Sequence, residues 1–253
     1  MIPNSQSYLH LRDQSQQFLD FVVLTCTAVP ALTSHINALG VTGLTPDHFK
    51  GKPDGNQLLR FSTTYKDQIS RAAVITLFSF FEAYVISLLQ EIVDFHGGAL
   101  AFQATADRRA KNFLVTSSPT IIDSKRKLQE PVKKNKIDTY KKHSSALTKQ
   151  GFRFPSELLA PFGVKVLIQR AKPKGSRAVE IPDLLRDALC FPLTTKDYNR
   201  INSIRDLRNK IAHGKTELIT LRSALGVGKD LRAIAAKIDQ HAVEHFFVLE
   251  QFA

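Results

Sequence analysis

The chain has 253 residues, 43% of them apolar, with two cysteines and a formal net charge of +12. That much apolar chain fills a core and excludes a disordered polypeptide, and two cysteines are too few for a disulfide framework. The charge is confined: residues 108–177 hold 18 Lys/Arg against 4 Asp/Glu, a net of +14, while the rest is near neutral at −2. Such a block attracts polyanions, because neutralised phosphates release condensed counterions; the competing use is a solvated insertion kept soluble by its lysines.

The opening MIPNSQSYLHLRDQ is polar and lacks the order of a secretory signal, so a cytoplasmic, reduced protein is expected. Residues 6–39 read as a helix or helix pair, capped by Asn4 or Ser7, with Pro30 as a break or kink and Gly40 as a stop. Residues 40–57 carry Gly43, Pro46, Gly51, Pro53 and Gly55, which is loop chemistry. Over 58–95 the spacing of Phe78, Phe81, Val85, Leu88, Leu89 and Ile92 predicts a helix, ended by Gly97-Gly98. Its stretch 72–89 is long enough for a membrane span, but Glu82 sits in the middle, which favours a helix buried in a soluble core and no membrane. On a helical wheel Glu82 and Arg71 fall on the side of Phe78, Val85 and Leu89.

Residues 99–193 give weaker patterns: helical runs at 101–114 and 121–135, a short strand or hairpin around 164–168, a loop at 171–177 and a helix at 180–189. Here lie Lys125, Arg126, Lys127, Lys133, Lys134, Lys136, Lys141 and Lys142, the candidate RNA-binding residues. Phe102, Phe113, Phe152, Phe154 and Phe162 are interleaved with the basic block; core packing is their expected use, with base stacking as the alternative. The last part reads as two helices, 195–213 from a Thr194–Thr195 cap to Gly214, and about 228–250.

On helix 195–213, Ile201, Ile204, Leu207 and Ile211 form an apolar stripe. Asn209 and His213 share another side, Arg208 lies at the stripe's edge, and Arg208 and His213 stand about 140° apart. A histidine titrates near neutrality and moves protons, while an arginine holds phosphate and stabilises growing charge. Together they suit cleavage of RNA by its own 2′-OH, provided an adjusted helix end or a second copy brings them together. The plain alternative is an ordinary helix end with a histidine on the dipole. Glu82 would pair with Arg208 or Arg71 and fix the arginine's pose, or be a satisfied core carboxylate.

The stretch IRDLRNKIAHG (204–214) resembles the signature of the HEPN superfamily, and Arg208, Asn209 and His213 match its positions. RAAVITLFSFFEAYVISLLQEI (71–92), with Glu82 and Tyr84, is similar to the early core helix of RiboL-PSP-HEPN and related prokaryotic defence-associated groups. The resemblance implies a mainly all-α antiparallel helical bundle, with 1–253 one domain and 99–193 a basic insertion. It also implies a homodimer with facing Arg–His sets and metal-independent endoribonuclease activity of a toxin or antiviral effector, needing no cofactor. The competing readings are a non-catalytic module that binds RNA, an antitoxin or a defence partner, and a structural protein whose motif packs a dimer interface.

Two patterns are discounted. His241-Ala-Val-Glu244-His245 matches H-x-x-E-H, but the chain offers no downstream ligand, so no metal site is expected. Gly226-Val-Gly228-Lys229 lacks the spacer of a phosphate loop and is read as the separator of the last two helices.

Overall fold

The computed structural model describes residues 3–40, 54–102, 104, 119–129, 142–143, 146, 181–187, 189, 191–215 and 218–247. Among them lie the helices α1 (Gln6–Leu39), α2 (Gly55–Phe95), α3 (Pro119–Gln129), α4 (Ile181–Asp187), α5 (Thr195–Ala212) and α6 (Leu221–His245), and no strand. The fold is an all-α bundle. The expected strand near 164–168 and loop at 171–177 lie outside the described residues.

The bundle is organised by α2. Phe78, Phe81, Val85, Leu88, Leu89 and Ile92 are fully buried, at the 3–4 residue spacing the sequence showed. Each such side chain contributes roughly 1.5–3 kcal/mol by leaving water. α1 runs antiparallel to α2, with its first turn at Glu91. α6 runs parallel to α2: Gly228 meets Leu77, and the Tyr84 hydroxyl donates to the Ala235 carbonyl at 3.2 Å. α5 returns antiparallel to α6, tied by Lys237–Asp197 at 3.0 Å and Arg200–Asp230 at 2.6 Å.

Several helix ends differ from the sequence reading. Ser5, not Asn4 or Ser7, caps α1, its Oγ accepting the Tyr8 N–H at 3.0 Å. The helix continues through Pro30. Residues 55–57 belong to α2, because the Asp54 carboxylate accepts the Asn56 N–H at 2.9 Å and starts the helix there. α6 starts at Leu221 instead of about 228, capped by Thr220, whose Oγ1 accepts the Ser223 N–H at 3.1 Å. Gly226 and Gly228 are therefore inside α6 and separate nothing. The bare Cα of Gly228 serves packing, since a Cβ there would sit 2.8 Å from the Leu77 Cδ1. Phe102 is fully buried, so it packs the core.

The first turn of α1 is held by two carboxylates from other helices. Asp239 of α6 accepts the Ser5 N–H at 3.2 Å and the Ser5 hydroxyl at 2.5 Å. Glu91 of α2 accepts the N–H groups of Gln6 and Ser7 at 2.7 and 2.8 Å, and the Ser7 hydroxyl at 2.6 Å. Both stand where orphan N–H groups and the helix dipole favour negative charge. Burial still pushes the Asp239 carboxyl above its ordinary value, against the two Ser5 hydrogen bonds.

The H-x-x-E-H histidine His241 is a core residue. Its Nε2 donates to the Leu189 carbonyl at 2.8 Å, and Phe191 packs edge-on against its ring. Burial lowers its pKa from 6.5 to about 4. The unfolded chain therefore binds this proton more readily than the folded chain. Stability is full above pH 6.5, falls as the pH drops towards 4, and levels off below, a loss of about 3 kcal/mol. His96, bonded to the Phe246 carbonyl, is shifted down too and adds to the loss with the same sign. His241→Gln keeps a donor for Leu189 and should flatten this part of a denaturation-against-pH profile. An equally steep profile in the variant would show that another group titrates.

Candidate active site

The site forms where the last turn of α5 crosses the middle of α2. α5 starts firmly: the Thr194 Oγ1 accepts the Asp197 N–H at 3.1 Å, and the Asp197 carboxylate takes the Thr194 hydroxyl at 2.8 Å. Burial alone would raise the Asp197 carboxyl, but hydrogen bonds from Thr194 and Lys237, with the charges of Lys237 and Lys196, outweigh it and hold it low. Ile201, Ile204 and Ile211 bury the opposite face, which fixes the rotation of the helix. Its C-terminus is closed by His213, whose N–H returns to the Asn209 carbonyl at 3.0 Å, and by Gly214 at φ 73°.

Arg208 is thereby aimed along the edge of the apolar stripe towards α2. Its Nη2 lies 3.8 Å from the Glu82 Oε2, and its Nη1 donates to the Asn209 Oδ1 at 3.0 Å. Its Nε is buried and makes no hydrogen bond among the described residues. Asn209 holds both ends of the motif, by its side chain to Arg208 and by its carbonyl to the His213 N–H. The His213 ring is exposed. Among the described residues no hydrogen bond joins that ring to the Arg208 guanidinium, in line with the wide angle between them.

The expected partner set of Glu82 divides. Arg208 reaches it. Arg71 instead pairs with Asp67, one turn earlier on α2, at 2.9 Å. Eleven residues separate Arg71 from Glu82, roughly 16 Å along the axis, so a shared face does not bring them into contact. Burial pushes the Glu82 carboxyl above the usual 4.5, and the Arg208 charge pulls it only part of the way back.

The basic candidates are placed in part. Lys125, Arg126 and Lys127 lie on α3, where Arg126 is exposed and pairs with Asp123 at 2.8 Å. Lys142 is exposed. Lys133, Lys134, Lys136 and Lys141 lie outside the described residues. A groove between α5 and α6, lined by Lys196, Asp197, Arg200, Asp230 and Lys237, was not singled out from the sequence. Its Asp197–Lys237 and Arg200–Asp230 pairs largely answer one another, and the T-x-x-D pattern at 194–197 was the available signal. No group of three or more His, Cys, Asp or Glu able to hold a metal occurs among the described residues.

The Glu82 environment gives a signed expectation. A raised carboxyl binds its proton more tightly in the folded chain, so it subtracts stability as the pH rises from 4.5 through its folded pKa. Glu82→Gln should leave the fold at least as stable at neutral pH. Arg208→Ala removes the opposing charge and should move the Glu82 titration higher still, as read by carboxyl NMR. An unmoved or lowered Glu82 pKa in that variant would mean that Arg208 does not act on it.

A family model described as RiboL-PSP-HEPN matches residues 47–244. Comparison with curated proteins and with solved structures gives no match. The matched region runs from shortly before α2 almost to the end of α6, and so takes in the Glu82–Arg208 contact, Asn209 and His213. On that match the chain belongs to the RiboL-PSP-HEPN family.

Proposed function

We propose that the chain is a metal-independent endoribonuclease working as a homodimer in the cytoplasm, as a toxin or defence effector. The observation that carries this is the set at the end of α5: Arg208 held between Glu82 and Asn209, with the exposed His213 one turn further on. In the reaction a histidine takes the proton of the RNA 2′-OH. The 2′-oxygen attacks phosphorus, and the bond to the 5′-oxygen breaks as that oxygen gains a proton. The products are a 2′,3′-cyclic phosphate and a 5′-hydroxyl. The Arg208 guanidinium binds the non-bridging oxygens, where charge grows in the transition state. Since Arg208 and His213 diverge on one chain, the working pair is Arg208 with His213 of the partner subunit. Asn209 and Glu82 orient Arg208. The basic block with Lys125, Arg126 and Lys127 gathers the RNA.

A second reading rests on the same geometry. Arg208 is already occupied by Glu82 and Asn209, which suits a module that binds RNA, or an antitoxin-like partner, without turnover.

Cleavage of a labelled RNA by the purified protein, with and without chelator, separates the two. We expect chelator-resistant cleavage with cyclic-phosphate ends, reduced about a hundredfold or more by His213→Ala and by Arg208→Ala, with unchanged circular dichroism. The matching DNA should resist. Cleaved DNA would sink the 2′-OH mechanism. Salt-sensitive RNA binding without turnover, weakened by charge reversal at Lys125, Arg126 and Lys127, would establish the binding module instead.

A further inference from the structure

α5 has a second polar face beside Arg208. Tyr198, Asn202, Arg205 and Asn209 follow one another at intervals of four, three and four residues, which makes them one stripe along the helix. The stripe stands about 120° round the helix from the buried Ile201, Ile204 and Ile211, so it is not part of the face that α5 packs inwards. Arg208 stands between the two. It is one turn beyond Arg205, about 60° round the helix and about 4.5 Å along it. Lys196, Asn199, Arg200 and Ser203, which line the groove against α6, are on the opposite flank.

The side chains of the stripe are little engaged within the chain. The Tyr198 ring is 40% exposed and packs against no other ring among the described residues. The Asn202 side chain makes no hydrogen bond among them. Arg205 packs its stem, at 18% side-chain exposure, and turns its guanidinium to the carboxylate of the next residue, Asp206, with Nε and Nη2 at 3.1 and 2.9 Å. Asp206 is itself exposed, and an ion pair in water holds an arginine weakly. Arg208 is held no better, at 3.8 Å from Glu82. Two guanidiniums one helical turn apart repel one another, and two such weak acids leave both of them open to an anion with charges in series.

We propose that a single-stranded RNA lies along this stripe: the phosphate at Arg208 is followed by its neighbour at Arg205, and a base further along the strand stacks on Tyr198. The assignment rests on the proposed function for the place of Arg208 and adds the path of the substrate. The paired guanidiniums select a polyanion. The open ring selects an unpaired strand, since a base in a duplex is already stacked on its neighbours. Tyr198 lies about 15 Å along the helix axis from Arg208, up to about four nucleotides at the roughly 3.4 Å rise of a stacked strand. Asn202, between Tyr198 and Arg205, offers two donors and an acceptor to a sugar hydroxyl or a base edge. The track leads away from His213, towards the start of α5.

Binding of fluorescein-labelled octauridylate to the full chain tests the track, in a His213→Ala background so that the probe stays whole. Tyr198→Ala and Arg205→Gln should each weaken binding roughly tenfold. Tyr198→Phe keeps the ring and Arg205→Lys keeps the charge, and each should recover most of the loss. Arg205→Gln should also lower the slope of log affinity against log salt by about 0.7, while Tyr198→Ala leaves the slope as it is. Losses that neither conservative variant recovers would show a structural role and overturn the assignment. So would unchanged affinity in Tyr198→Ala and Arg205→Gln, an unchanged salt slope in Arg205→Gln, or a parent chain that binds no octauridylate. The outcome separates from that of the proposed function. A chain that binds in this way and, with His213 restored, cuts no RNA keeps the track and removes the nuclease. Cleavage of octauridylate that Tyr198→Ala and Arg205→Gln leave untouched removes the track and keeps the nuclease.

Discussion

The structure depends on covering α2. From Val74 to Val93 its side chains are buried or half-buried over most of the circumference, with Ala83, Ser87 and Gln90 left exposed, so one neighbouring helix cannot shield it. α1, α5 and α6 each take a side. The details of those helices follow from that demand. Gly228 lets α6 approach Leu77 closely, and Tyr84, deep in the core, spends its hydroxyl on the Ala235 carbonyl. Glu82 is the one charge within 72–89, and it falls where α5 passes. Burying a carboxylate costs free energy unless an opposite charge answers it, and Arg208 is the group that does. The core and the candidate site thus share a residue.

The two ends of α1 solve opposite problems. Its first turn has unpaired N–H groups in a buried place, and two carboxylates from different helices satisfy them. That ties α1 to α2 and α6 at once and sets its register. The far end has saturated polar groups, the hydroxyls of Thr25, Thr27 and Thr33 turned onto backbone carbonyls, and the apolar side chains of Phe21, Val23, Leu24 and Leu39 left in water.

Much of this was legible in the sequence because it is local. The 3–4 spacing along α2, the Thr194 cap and Gly214 each act within a turn or two, and each had its expected effect. Pattern reading also placed Arg208 and His213 apart, which follows from 100° per residue. It failed where the deciding contact came from elsewhere in the fold. Arg71 and Glu82 share a face of α2, but a wheel projects away the axial distance, and Asp67 was the nearer acid. Gly226 and Gly228 look like a break until the opposing Leu77 explains one of them. The choice of Arg208 for Glu82 needed the crossing of α5 over α2, which no single-helix periodicity contains. For His241, set aside as a metal ligand, the spacing named no partner, and the partner it has is a backbone carbonyl 52 residues away.

How tightly Arg208 is held bears on what it can do. At 3.8 Å the Glu82 contact is at the outer limit of an ion pair, and the buried Nε makes no hydrogen bond among the described residues. Burial raises the affinity of Glu82 for a proton, and the Arg208 charge at that distance lowers it only part of the way back. A phosphate carries more charge and geometrically matched oxygens. When Arg208 turns to a phosphate the Asn209 bond can persist and keep the side chain aimed, and Glu82, losing the charge that answers it, holds a proton more readily. A tight, bidentate Arg–Glu pair would have made the same motif a fixed strut. The loose pair leaves an arginine that is oriented and still able to take an anion, which is the condition the proposed chemistry sets.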